Sequence, residues 1–159
     1  MSVSEWALVA SVVFSGLWAG ELAMLTLVMH PMLKAMDGRD FARFLRAFLP
    51  SARKAWFNYA EVIGMVVAPV IALLTMDDKG GGPFILTAVG LLLTIAGPLL
   101  VSNRLAEPNY DVMLAWDPDV MPTSWRATRA RYLALNWIRA AATWAAFALF
   151  LAAMVDQLR

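Results

Sequence analysis

The sequence lacks cysteine and is almost without histidine. None of its 159 residues is Cys, and only one, His30, is His. The absence of Cys excludes disulfide frameworks, thiolate zinc sites, iron–sulfur clusters and thiol nucleophiles. A single imidazole also excludes any site that needs two histidines. The chemistry of the chain therefore has to come from carboxylates, amides, hydroxyls and guanidinium groups.

Charge is scarce as well. Charged residues make up 16% of the sequence and apolar residues 61%, whereas soluble proteins have about 25% charged and about 45–50% apolar residues. The net charge of +1 is too small to indicate a nucleic-acid partner. This composition is typical of an integral membrane protein whose main surroundings are the lipid bilayer.

Four apolar stretches are long enough to cross a membrane, since a hydrocarbon core about 30 Å thick needs about 20 mostly apolar residues. They are residues 6–29, 56–75, 83–101 and 133–155. We expect the first to stay in the mature protein and not to be a cleavable signal peptide, because no basic leader precedes it and the apolar run is too long. We therefore predict an all-α fold, a four-helix transmembrane bundle that forms a single integral membrane domain over residues 1–159.

The basic residues predict the orientation. Ten of the thirteen Lys and Arg residues lie in the first and third loops, residues 30–55 and 102–132, while the glycine-rich turn before the third span has only Lys79. The positive-inside rule places both basic loops in the cytoplasm and both termini outside. We expect a bacterial inner membrane protein with loops 1 and 3 cytoplasmic.

Two of the loops are predicted to be structured. In the first, apolar residues at helical spacing alternate with arginines, which predicts a short cytoplasmic amphipathic helix in the headgroup plane with its arginines as membrane anchors. In the third, prolines between residues 107 and 125 break any continuous helix, so we expect a structured cap. Thr123 or Ser124 then caps the last helix. The residues of the amphipathic pattern are Phe41, Phe44, Leu45, Phe48 and Leu49, with Arg39, Arg43 and Arg46.

Three charged residues interrupt the spans, namely Glu21, Glu61 and Arg139. Inserting a charged side chain at the centre of a bilayer costs roughly 2.5–3.5 kcal/mol of free energy. We therefore expect each of the three to have a partner within the protein or a functional role. Counted from the cytoplasmic end of their helices, all three lie about 8–12 Å deep, at one level. They form either a buried ion-pair network that fixes helix register or a site in which a carboxylate moves a proton and Arg139 stabilises an oxyanion.

A polar stripe supports the second interpretation. Along the fourth span, polar residues recur at alternating spacings of three and four, which places them on one helix face. In the second span, Asn58 shares a face with Glu61, and Asn103 lies just past the third span, where it closes the floor of the site. The candidate binding residues from this pattern are His30, Asn58, Asn103, Arg129, Tyr132 and Asn136.

We predict no metal and no other cofactor. Glu21, Glu61 and His30 have the ligand types of a two-carboxylate, one-imidazole metal site, but the chain lacks a second Glu-x-x-His pair. A haem held by His30 as its sole axial ligand is a further alternative.

Several motifs resemble a known family, the small four-span membrane proteins grouped with the fungal anthrone oxygenases. The resemblance covers nearly the whole chain and implies a transmembrane bundle that oxygenates an anthrone to an anthraquinone with no recognised cofactor motif. It implies site residues His30, Asn109, Trp125, Arg129, Asn136 and Arg139, although many relatives have His where this chain has Asn136. The motifs are Gly16-Leu-Trp-Ala-Gly20, His30-Pro31, Glu107-Pro-Asn109, Trp116-Asp-Pro118, Pro122-Thr-Ser-Trp125, Arg129-Ala-Arg131 and Asn136-Trp-Ile-Arg139.

Two functions remain open at this point. In the first, the protein is an enzyme with a polar intramembrane pocket for a flat, apolar phenol, anthrone or quinol. Glu61 or Glu21 removes a phenolic proton, Asn136 and Arg139 hold the oxyanion, and the ring reacts with oxygen. In the second, the protein is a non-catalytic accessory subunit of a larger respiratory, photosynthetic or transport complex, or a homo-oligomer. Transport by this chain alone is disfavoured, because four spans without inverted repeats offer no alternating-access machinery.

Overall fold

The structure, a computed structural model, describes residues 1–158. Over these residues the chain forms five helices, and four of them are long and apolar enough to cross a membrane. This confirms the predicted all-α fold and the count of four spans. The helices are α1 (Val3–Ala35), α2 (Gly38–Lys54), α3 (Trp56–Thr75), α4 (Gly82–Leu114) and α5 (Trp125–Gln157).

The four long helices form an up-down-up-down bundle. Helix α1 packs against α3 and α5, and α4 packs against the same two helices, so that α1 and α4 lie diagonally opposite. Ala7 of α1, Ala72 of α3 and Ala153 of α5 belong to one apolar cluster. The start of α1 and the end of α5 therefore lie at the same end of the bundle as the glycine-rich turn.

Three of the long helices extend well beyond the predicted spans, all at the end opposite the glycine-rich turn. Helices α1, α4 and α5 have 33 residues each, or about 50 Å at about 1.5 Å per residue, against a hydrocarbon core of about 30 Å. Helix α1 continues to Ala35 rather than ending at Met29, and α4 continues to Leu114 rather than ending at Val101. The irregular part of the third connection is therefore only residues 115–124.

Both extensions pass through a π-helical segment, Met24–Met29 in α1 and Ile95–Ala106 in α4. Each segment is followed within two residues by a proline, Pro31 or Pro108. A proline ring clashes with the carbonyl four residues earlier in an α-helix, and here that carbonyl, of Leu27 or Arg104, lies in the π-helical segment. The helices therefore continue where a proline normally indicates that a helix ends.

Helix α2 covers the extended end of the bundle. It begins after Asp37, whose carboxylate accepts a hydrogen bond of 2.9 Å from the Asp40 amide. Phe41 and Leu45 are fully buried, because the apolar face of α2 packs on α4, α5 and the connection between them. The expectation that this face lies among lipid headgroups is corrected, since protein covers it. Its partners in the cluster include Tyr110, Met113, Trp116 and Tyr132.

The arginines of α2 bind the 115–124 connection. Arg39 and Arg43 reach the carboxylate of Asp119 at 3.1 and 3.8 Å, and Arg46 donates to the carbonyl of Trp116. These side chains therefore hold the 115–124 connection against α2. These contacts do not test the predicted role of the arginines as membrane anchors, which stays a prediction, since Arg39 and Arg43 remain more than half exposed.

Candidate functional site

A cleft of about 620 Å³ lies in the half of the bundle that carries the basic connections. Its volume is within the range of about 300–1,000 Å³ that is usual for small-molecule sites. The cleft forms because α3 packs against α4 near the glycine-rich turn but diverges from the π-helical segment of α4. Its walls are mostly apolar and include Leu22, Met29, Leu49, Phe57, Val62 and Leu99.

Arg139 lines this cleft. Its Nη1 donates to the hydroxyl oxygen of Tyr110 at 3.0 Å and to Oδ1 of Asn136 at 3.2 Å. The guanidinium carbon lies 5.9 Å from the centroid of the Trp18 ring. Arg139 is only 9% exposed, and its Nε has no hydrogen-bond partner within residues 1–158. A buried donor without a partner costs about 1–3 kcal/mol.

His30 and Asn136 lie behind Arg139 rather than in the cleft wall. Asn136 is fully buried, and its Nδ2 is 3.4 Å from Nε2 of His30. The His30 ring is 1% exposed and packs against Tyr132 and Trp137, with centroid distances of 6.4 and 6.2 Å. These two residues therefore position the guanidinium, and their predicted contact with a ligand stays a prediction.

The two carboxylates are placed differently. Glu21 lines the cleft together with Arg139. Glu61 is 8% exposed and belongs to the buried stripe of α3 that includes Gly64, whose position faces Phe14 of α1. The structure therefore brings one carboxylate and the guanidinium to the same cavity, and it places the second carboxylate between α1 and α3.

The buried ion-pair network is not formed. Within residues 1–158, neither Glu21 nor Glu61 makes a salt bridge with Arg139. The Glu61 carboxylate has one buried oxygen, Oε2, without a partner in this part of the chain. Arg139 is instead held by neutral groups, the Tyr110 hydroxyl and the Asn136 amide. Its charge therefore remains available to an anionic or polarised ligand.

Three further predicted residues line the cleft, namely Asn58, Asn103 and Tyr132. The Nδ2 of Asn58 donates a hydrogen bond to the Ala52 carbonyl at 3.2 Å. The other polar atom of the amide, Oδ1, takes no part in that bond. Asn103 donates to the carbonyl of Leu99 in its own helix at 2.9 Å. Tyr132 is 1% exposed and packs its ring against Tyr110.

Asn109, Trp125 and Arg129 lie outside the cleft, in the extended end. Arg129 Nη1 donates to the carbonyls of Leu33 and Met36 at 3.2 and 2.8 Å, and its guanidinium lies 4.6 Å from the Trp125 ring centroid. Asn109 donates to the Thr128 carbonyl at 3.5 Å. These contacts join the end of α1 to the start of α5. The residues implied by the family resemblance thus divide into a group at Arg139 and a group that fixes the extended end.

Sequence reasoning missed Tyr110 as a site residue. It was assigned to a loop because prolines flank it, although it lies in α4 and binds Arg139. A usable signal was present, since Ser102, Ala106, Tyr110 and Met113 continue at helical spacings past the predicted end of the third span. The prolines concealed this continuation.

An ion-pair cluster lies at the edge of the cleft. Arg53 Nη2 binds the Glu107 carboxylate and lies 2.9 Å from Asp111 Oδ1, and its guanidinium carbon lies 6.0 Å from the Tyr110 ring centroid. The hydrogen bond from Arg53 to Asp111 raises the pKa of Arg53 above its usual value. The group therefore stays charged and ties the end of α2 to α4.

The alternative metal site is not assembled. Within residues 1–158 the structure has no group of three His, Asp or Glu side chains that could hold a metal ion. The haem alternative also meets an obstacle, because Tyr132, Trp137 and Asn136 surround the buried ring of His30.

The chain has no match among protein-family models, curated proteins or solved structures.

Proposed function

We propose that the cleft binds a flat, apolar small molecule with an oxygen function, of the phenol, anthrone or quinol type, and that Arg139 holds this oxygen. The observation that carries the proposal is a cleft with mostly apolar walls that a buried guanidinium lines, and within residues 1–158 no carboxylate forms an ion pair with this guanidinium. Apolar walls with a few convergent polar groups are typical of small-molecule sites. A charged donor in such surroundings favours an oxyanion over a neutral oxygen.

The same geometry supports an acid–base role for Glu21. Of the two carboxylates considered from the sequence, Glu21 lines the cleft together with Arg139. It accepts the proton of the ligand hydroxyl, or of an acidic C–H next to a ligand carbonyl, and Arg139 stabilises the resulting oxyanion. Glu61 is the weaker choice for the base, because it belongs to the stripe of α3 that packs on α1.

Ionisation prepares such a ligand for oxygenation. The anion of an anthrone is electron-rich and reduces dioxygen at the carbon opposite the carbonyl. One oxygen atom forms the new carbonyl of the anthraquinone, and the other leaves as water with the two hydrogens of that carbon. The resemblance to the anthrone oxygenase family supports this reaction, and dioxygen is the only co-reactant it needs.

The position of the cleft suits a ligand that dissolves in lipid. The gap between α3 and the π-helical segment of α4 lies along the side of the bundle, with Phe57 on one side and Leu99 on the other. An apolar ligand partitions into the bilayer, where its local concentration is high. We propose that it enters sideways through this gap.

Replacement of Arg139 tests the proposal. The protein is purified in mild detergent, and naphthol binding and anthrone-dependent oxygen uptake are measured for the wild type, Arg139→Met and Arg139→Lys. We expect Arg139→Met to fold and to lose at least about tenfold in affinity, and Arg139→Lys to retain part of it. Equal affinity of the wild type and Arg139→Met contradicts the proposal. Co-purification of a stoichiometric protein partner without a bound aromatic molecule favours the accessory-subunit function instead.

We also propose that the basic, extended end faces the cytoplasm of a bacterial inner membrane. The chain has no Cys, so single cysteines can report the side. A membrane-impermeant thiol reagent added to intact cells should label Lys79→Cys and leave Ser51→Cys unlabelled until the cells are broken. The reverse pattern contradicts the orientation.

A further inference from the structure

The single histidine of the chain is joined to Arg139 by two polar contacts. Nδ2 of Asn136 is 3.4 Å from Nε2 of His30, and Oδ1 of Asn136 accepts from Arg139 Nη1 at 3.2 Å. All three side chains are buried. Since water has little access to them, protein groups have to satisfy these polar atoms.

The chemistry of the three groups determines the direction of each hydrogen bond. A guanidinium can only donate, so the end of the Asn136 amide that meets Arg139 has to be the carbonyl oxygen. The NH2 end of the amide then meets His30, where it donates and Nε2 accepts. This requires a neutral imidazole that carries its proton on Nδ1.

Any other state of the His30 ring breaks one of the two contacts. With a proton on Nε2, the ring presents an N–H to the NH2 group of Asn136. If the amide turns over to accept that proton, its NH2 group meets Arg139, and two donors face each other there. Nδ1 has no partner within residues 1–158. In this part of the chain, the contact with Asn136 is therefore the hydrogen bond that distinguishes the two ring nitrogens.

An amide needs such a second partner because its two ends differ. A carboxylate at position 136 would offer an oxygen to Arg139 in either orientation, but it would also neutralise the guanidinium. Asn136 leaves Arg139 without an ion pair within residues 1–158, and only its oxygen end can bind the guanidinium. His30 favours the orientation that does so.

The backbone of α1 presents His30 to α5 after an irregular turn. The π-helical segment Met24–Met29 comes directly before His30, whose N–H donates to the carbonyl of Leu25, five residues earlier. The wider turn changes the direction of the following side chains relative to a regular α-helix, and such turns are frequent at functional sites. Tyr132 and Trp137 of α5 then pack against the ring.

We propose that His30 is a positioning residue for Arg139. Its Nε2 accepts from Asn136 and so keeps the amide oxygen on the guanidinium, which holds the guanidinium at the wall of the cleft. His30 acts on the ligand through these two residues, since it does not itself line the cleft. The inference rests on the proposed function, because it concerns the group that binds the ligand oxygen.

Nitrogen-15 NMR of the full chain in detergent tests the contact. Because His30 is the only histidine, labelled histidine gives one pair of ring-nitrogen signals. We expect a neutral ring with its proton on Nδ1, although free histidine prefers the proton on Nε2, and a shift toward the Nε2 form in Asn136→Leu. A proton on Nε2 in the wild type, an imidazolium at neutral pH, or signals unchanged in Asn136→Leu overturn the inference. The wild-type signals decide if Asn136→Leu fails to fold.

Variants test the effect on the ligand. His30→Phe keeps an aromatic ring against Tyr132 and Trp137 but removes the acceptor, and we expect the affinity for naphthol to fall about fivefold. His30→Gln offers a carbonyl oxygen in place of Nε2 and should restore most of the affinity. Leu33→Ala is the matched control, because Leu33 is equally buried in the same helix. It should lower the melting temperature and leave the affinity for naphthol unchanged.

The outcomes separate this inference from the proposed function. Equal naphthol affinity of the wild type and His30→Phe overturns the inference, while Arg139→Met tests the proposed function independently. Equal losses of affinity in His30→Phe, His30→Gln and Leu33→Ala also overturn it, because His30 then contributes packing alone. If the wild type binds no naphthol, the proposed function fails, and the position of the ring proton decides whether His30 orients Asn136.

Discussion

The two ends of the bundle are built differently. At the end with the glycine-rich turn, helices touch directly, and a Cβ added to Gly90 would lie 2.6 Å from the ring of the fully buried Phe150. At the basic end, α3 diverges from the π-helical segment of α4, while that segment still packs closely on α5, where a Cβ added to Gly97 would clash with the Cβ of Ala142. The comparison teaches that the cleft results from the separation of α3 from α4, and not from loose packing of every helix at this end.

The open end has its own source of stability. Helix α2 covers it with an apolar face, and the aromatic rings of Phe41, Tyr110 and Tyr132 pack edge to face beneath it. Aromatic pairs of this geometry contribute about 0.5–1.5 kcal/mol each beyond the area they bury. The cleft is therefore bounded by a rigid cluster and not by loose chain.

The largest effect should come from removing the link between α1 and α5 at the open end. Arg129→Met removes two hydrogen bonds to the Leu33 and Met36 carbonyls. Hydrogen bonds from a charged donor contribute about 1.5–3 kcal/mol each, so we expect a loss of about 3 kcal/mol. Thermal unfolding in detergent measures it. A change below about 1 kcal/mol would show that this end does not depend on Arg129.

The closed end should be sensitive to a single methyl group. Gly90→Ala places a Cβ against the Phe150 ring, and such overpacking costs about 1–3 kcal/mol. We expect a net loss of about 2 kcal/mol. Gly20→Ala is the matched control, since a Cβ there meets nothing within 4 Å. Its expected effect is a gain of up to about 1 kcal/mol from helix propensity, and equal effects of the two variants would refute direct packing at Gly90.

A smaller effect is expected at the cleft itself. Tyr110→Phe removes the hydroxyl that accepts from Arg139 Nη1 at 3.0 Å. The variant should lose about 1 kcal/mol, the usual contribution of one hydrogen bond. It should also weaken naphthol binding, because the guanidinium loses one of its two fixed contacts. Unchanged unfolding and unchanged binding would show that Asn136 alone positions Arg139.

The smallest effect on stability should come from the ion pairs at the edge of the cleft. The Arg53 side chain is 34% exposed, and its partner Asp111 is 71% exposed. Exposed pairs contribute about 0–1 kcal/mol and weaken in salt. We expect Arg53→Met to lower stability by less than about 1 kcal/mol, with the difference from wild type disappearing at high salt. A loss comparable to that of Arg129→Met would make Arg53 part of the framework.

Part of the site was predictable from helix geometry. The spacing of polar residues along the fourth span placed Tyr132, Asn136 and Arg139 on one face, and all three are buried in the structure. A helix has a fixed period, so residues on one helix that share a face can be identified without knowing the fold. The depth of a residue along its helix was a weaker guide. It placed Glu21 and Glu61 at one level of the bilayer, but depth does not determine the direction in which a side chain points.

The sequence by itself determined the four spans, since lipid accepts only helices whose backbone is internally satisfied and about 20 apolar residues are needed for each. It also determined which face of α5 carries polar groups. Only the tertiary structure decided that α2 covers protein rather than lipid, because an apolar face can be buried by either. The continuation of α4 through Pro108 and the absence of an ion pair between Glu61 and Arg139 within residues 1–158 were decided there as well, since both depend on how neighbouring helices pack.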